Sequence, residues 1–187
     1  MKTMAALMLL LAAAPAAAQA PAAATPQVRA LRCFAAAHTL NELIDVSVRN
    51  LALVANTATQ GAGAEQQQVM MGMLASGTLA DQQAALDLAE QLELCVAAAV
   101  AAAAPDAAAL EVARLLAAET QYGIDSANGF SSDFERVAPA INRVLAAAND
   151  PGLQAAANGT YSQFGRTISD TLHRVRLAVS ELLEKSR

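Results

Sequence analysis

The segment Thr160–Lys185, TYSQFGRTISDTLHRVRLAVSELLEK, decides the fold. Its apolar residues Tyr161, Phe164, Ile168, Leu172, Val175, Val179 and Leu182 recur every three or four positions. That spacing lines one face of an α-helix and leaves the other to polar residues. Lys185 and Arg187 fall where the helix dipole favours cations. No stretch of the chain shows the strict alternation of a half-buried strand.

The same period runs through the N-terminal part. Thr25 followed by Pro26 is a helix start, with a capping hydroxyl and a proline whose missing N–H costs nothing in the first turn. The helix it opens reaches about Thr59, with a main stripe of Cys33, Leu40, Leu43, Ile44, Val48, Leu51 and Val54. A weaker stripe of Val28, Leu31, Val46 and Leu53 suggests contact with more than one neighbour. Gly61-Ala62-Gly63 ends this helix.

Between these two segments the punctuation predicts shorter elements. A short helix covers Ala64 to Ala75, with Val69, Met70, Met73 and Leu74 on one side, and Ser76-Gly77 breaks it. Thr78 with Asp81 opens a helix to Ala104, in which Ala85, Leu88, Leu92, Cys95, Val96 and Ala99 point inward. Pro105 separates it from a helix to Tyr122, with Val112, Leu115, Leu116 and Tyr122 inward and Gly123 as its stop. Residues 123–131, containing the turn pair Asn128-Gly129, read as the one substantial loop. Ser132 with Glu135 opens a helix to about Ala148, kinked at Pro139, and Asn149-Asp150-Pro151-Gly152 is a turn. The expected fold is all-α: an up-and-down bundle of about five main helices plus one short helix.

Residues 1–18, possibly to 20, have the pattern of a cleaved secretion signal: Lys2, an apolar run from Ala5 to Ala14, then small-residue A-x-A sites. That run is too short for a bilayer span, which needs about 20 residues. Residues 19–25 read as a disordered Ala/Pro lead, and 26–187 as a single helical domain. The expected location is periplasmic or secreted, with a soluble mature chain. Two cysteines in an exported chain imply one disulfide, Cys33–Cys95. Each lies on an inward stripe, one near the start of its helix and the other near the end. The bridge therefore packs the two helices antiparallel.

Composition excludes more than it suggests. No Trp and 3% aromatic residues leave no platform for stacking bases or sugars, and a net charge of −5 argues against nucleic acid. There is no G-x-S-x-G elbow, glycine-rich phosphate loop, H-E-x-x-H or C-x-x-C-H. No catalytic residue and no resident cofactor are expected.

A few residues stand out as ligand-binding candidates. Glu119 lies between Val112, Leu115 and Tyr122 in the apolar stripe of its helix, so it needs a partner or a raised pKa. His38 has Glu42 one turn on, and His173 has Asp170 three before it; both faces are otherwise polar and read as solvated. Met70, Met71 and Met73 form a thioether cluster that suits Cu(I), although Met also fills irregular core gaps. Arg166, Arg174 and Arg176 spread around their helix and read as solvent-facing. The expected function is non-catalytic binding of a protein or envelope component. A small-ligand or metal (copper or haem) binding bundle is the alternative.

Overall fold

The computed structural model describes residues 25–59, 63–102, 105–147 and 151–184, all but their flanking residues helical. The expected signal, residues 1–18, and the expected lead up to residue 24 lie outside the described residues, as do Lys185 and Arg187. Five α-helices follow in order: α1 Pro26–Thr59, α2 Ala64–Ala101, α3 Ala107–Ala147, α4 Pro151–Ala156 and α5 Ser162–Glu184. A π-helical turn, Ala157–Tyr161, carries α4 into α5. Four of these helices are long, so the bundle has four main members and not five.

Two predicted breaks are continuous helix. α2 runs through Ser76-Gly77, and Thr78, expected as a cap, is a buried residue inside it. α3 runs through Gly123, through Asn128-Gly129 and through Pro139, absorbing the expected loop 123–131 and the capping box at Ser132. The physical reason is the stripe beneath them. Ile124, Ala127, Phe130 and Phe134 continue the helical spacing and are all buried. Each large apolar side chain buried there contributes about 1.5–3 kcal/mol, against about 1 kcal/mol lost at an exposed helical glycine. Burial wins. Asn158-Gly159, a pair of turn-forming residues, likewise lies inside the π-helical turn.

Gly123 is a packing residue. A Cβ there would lie 2.5 Å from Asn41 Oδ1 on α1 and 2.7 Å from Leu172 Cδ1 on α5. Gly165 plays the same part between α5 and α3, where a Cβ would overlap the Ser131 hydroxyl and the Ala127 carbonyl. Gly123 thus brings α1, α3 and α5 to close approach, and Gly165 does the same for α5 and α3.

Cys33 and Cys95 are joined, with Cα atoms 5.7 Å apart, and neither is free. With the Asn50–Asp81 hydrogen bond further along, the bridge makes α1 and α2 antiparallel neighbours. α1 and α3 run parallel: Ala30 packs with Ala109 and Val112, Asn41 bonds Glu119, and Tyr122 bonds Asp45. α5 runs antiparallel to α3, pairing Arg166 with Glu135 and Arg176 with Gln121. The directions alternate up and down, as expected. The neighbours do not follow chain order, because α2 and α3 are consecutive yet touch little, as do α1 and α5. Around the bundle the order is α1, α2, α5, α3.

The main core cluster draws on all four long helices, including Leu40, Ile44, Leu92, Leu116, Phe130 and Leu172, and a smaller one joins Ala30 to Ala109 and Val112. Phe130 meets Phe164 edge-on at 5.0 Å, and Phe134 stacks on Tyr161 at 5.7 Å. The second stripe of α1 is solvent-facing: Val28, Leu31 and Leu53 are exposed. Contact with two neighbours comes instead from the flanks of its main stripe. Leu115, Tyr122 and Met73, expected inward, are also exposed. No helix among the described residues is long and apolar enough to cross a membrane.

Candidate functional site

The parallel packing of α1 on α3 brings two sequence-marked residues, His38 and Glu119, into one groove of about 390 Å³. α1 supplies His38, Asn41, Glu42 and Asp45, spaced three and four apart along one face. α3 supplies Ala118, Glu119 and Tyr122 opposite them. Asn41 anchors the floor and is itself buried. Its Nδ2 donates to the Glu119 backbone carbonyl at 2.9 Å and to Oε2 of the same residue at 2.6 Å.

This answers the question posed by Glu119's place in an apolar stripe. Its side chain is 25% exposed and has partners from α1. The other carboxylate oxygen lies 3.5 Å from His38 Nδ1. On the far side of the imidazole, Nε2 lies 3.8 Å from Glu42 Oε1. At the open end the Tyr122 hydroxyl donates to both carboxylate oxygens of Asp45, at 2.9 and 3.1 Å. Phe34 stacks on His38 with centroids 6.3 Å apart and backs the ring on the side away from Asp45.

The groove therefore holds three carboxylates, Glu42, Asp45 and Glu119. Among the described residues none is paired with an arginine or lysine. Its walls are the Ala118 methyl and the Tyr122 ring, a surface on which the stem of a cationic side chain can lie. The two carboxylates beside His38 address opposite ring nitrogens, so they do not converge on one ion. No group of three His, Cys, Asp or Glu among the described residues could hold a metal ion. The groove lining contains no serine, threonine or cysteine that His38 could activate.

The other candidates fall elsewhere. Met73 is 74% exposed on α2, and the side chains of Met70 and Met71 lie outside the described residues. His173 is exposed on α5, diagonally across the bundle from α1, so the two histidines do not meet. The arginines of α5 do more than face solvent: each ties α5 to another helix. Arg174 grips Glu93 of α2 through Nε at 2.8 Å and Nη2 at 2.9 Å. That hydrogen-bonded guanidinium holds the Glu93 carboxyl below its ordinary value, and the carboxylate in turn raises Arg174.

Asn41, Asp45 and Tyr122 are the polar groove residues that the sequence does not mark as ligand-binding candidates. Their signal is present: Asp45 continues the spacing of His38 and Glu42, and Tyr122 lies three residues past Glu119. No protein-family model, curated protein or solved structure matches this chain.

Proposed function

We propose that this protein is an exported, non-catalytic binding module that grips a protein partner through the α1–α3 groove, taking a lysine or arginine side chain. The observation that carries the reading is the uncompensated acidity of a groove with apolar walls. Glu42, Asp45 and Glu119 face one space, and a guanidinium or ammonium ion entering it would meet carboxylate oxygens on both sides. Charge complementarity of this kind sets specificity and the rate of encounter. The net charge of −5 has the same sign and adds long-range attraction for a basic partner. The leader-like residues 1–18 and the Cys33–Cys95 disulfide support export.

The test is an NMR titration with N-acetyl-arginine amide and N-acetyl-lysine amide, using N-acetyl-glutamine amide as the uncharged control. The expected result is saturable shifts confined to His38, Asn41, Glu119 and Tyr122, reduced about tenfold in affinity by Glu42→Gln combined with Asp45→Asn. Shifts no larger than the glutamine control's, or shifts scattered over the surface, would overturn the reading.

A further inference from the structure

The two ends of the bundle differ in a way the groove does not use. At the end carrying the disulfide the interior is apolar and cross-linked: Cys33, Ala37, Leu40, Leu92 and Val96 are buried together. Toward the other end the core contains polar side chains that the protein does not fully partner. Gln82 of α2 is completely buried, and neither its Nε2 nor its Oε1 has a hydrogen-bond partner. Ser47 of α1 is also completely buried with an unpartnered hydroxyl. The Asn50–Asp81 bond places Ser47 and Gln82 at one level across the α1–α2 pair. One turn beyond lies Tyr161, buried and facing Thr78. Among the described residues, Arg29 Nε is the one such atom near the disulfide, and its guanidinium has further donors.

Two backbone features fall at that same end. Pro139 interrupts the hydrogen-bond ladder of α3, since proline has no N–H to donate. The π-helical turn Ala157–Tyr161 precedes α5 and packs through Tyr161 onto Phe134. Closing this end strips water from an amide and a hydroxyl that find no replacement, and opening restores it. The covalent clamp holds only the far end.

We propose that the end of the bundle remote from the disulfide opens as a unit under native conditions while the clamped end stays closed, and that the buried Gln82 amide sets how readily it does so. Opening bares Val54, Phe130, Phe134 and Tyr161, an apolar surface the closed molecule hides. The device stands independently of the groove, which lies nearer the clamped end and survives the opening.

Native-state hydrogen exchange on the full, disulfide-bonded chain tests this. The amides of residues 47–57, 78–86 and 134–143 should exchange about 100-fold faster than those of 37–44, 88–96 and 116–124. Gln82→Met should slow the fast set about tenfold, because an apolar side chain of similar length loses no hydrogen bonds on closing. Val96→Ala, at the clamped end, should speed the slow set and leave the fast set unchanged. Equal exchange in the two sets would overturn the proposal. So would a Val96→Ala effect that is the same in both, or a Gln82→Met variant whose fast set is unslowed.

Discussion

The Asn41 amide donates to both the carbonyl and the carboxylate of Glu119, while its carbonyl oxygen lies against Gly123. Losing that side chain removes a buried two-bond link between α1 and α3. Asn41→Ala should therefore lower stability by about 1–2 kcal/mol. Asn41→Asp should cost more, because it sets a second carboxylate against Glu119 where a donor stood. Urea denaturation of both variants checks the order. The Glu93–Arg174 pair gives a prediction in pH. A carboxyl whose folded pKa is depressed adds stability above its unfolded pKa and loses it as pH falls through the folded value. Because the pair is largely exposed, Glu93→Gln should cost about 0.5 kcal/mol at pH 7. The difference from the parent should shrink as pH falls below the ordinary glutamate range, vanish once pH passes the depressed folded value, and shrink in high salt. Thermal melts across pH measure it.

At the scale of the element, the four long helices separate glycines that pack from glycines that merely interrupt. Gly129 is exposed, with nothing within 4 Å of the position a Cβ would take, and it lies inside α3. Gly129→Ala should stabilise by about 0.5–1 kcal/mol, whereas a turn glycine of left-handed conformation would lose stability on the same change. Gly123→Ala and Gly165→Ala should each destabilise by about 1–3 kcal/mol through overpacking. Thermal melts of the three variants decide between helix and loop for residues 123–131. The contrast also shows what a sequence reveals and what it hides. Helix starts at Thr25-Pro26 and the stripe of α5 are local signals, and they are legible. Asn128-Gly129 is a local signal as well, but the buried run Ile124, Ala127, Phe130, Phe134 overrides it. That run keeps the helical period, so the continuity of α3 is readable once burial is weighed above turn propensity.

For the whole molecule, the disulfide closes a loop spanning 62 positions. In the chain-entropy account such a bridge contributes about 4 kcal/mol, so Cys33→Ala with Cys95→Ala should lower the urea-derived stability by that amount. The antiparallel α1–α2 pair follows from the cysteine positions alone. The groove does not, because it depends on α1 meeting α3 in parallel, and short connections suggest that consecutive helices adjoin. Here α2 and α3 sit on a diagonal, and no periodicity within a single helix encodes that placement. The wheel position of Glu119 marks it as needing a partner, but only the assembled bundle shows that Asn41 and His38 supply one. The whole functional account rests on this adjacency, and a single NOESY experiment on the labelled protein tests it. The account predicts a cross-peak between the side-chain amide protons of Asn41 and the Hα protons of Gly123. An assigned spectrum in which Asn41 shows contacts to α2 and none to Gly123 or Glu119 would contradict it.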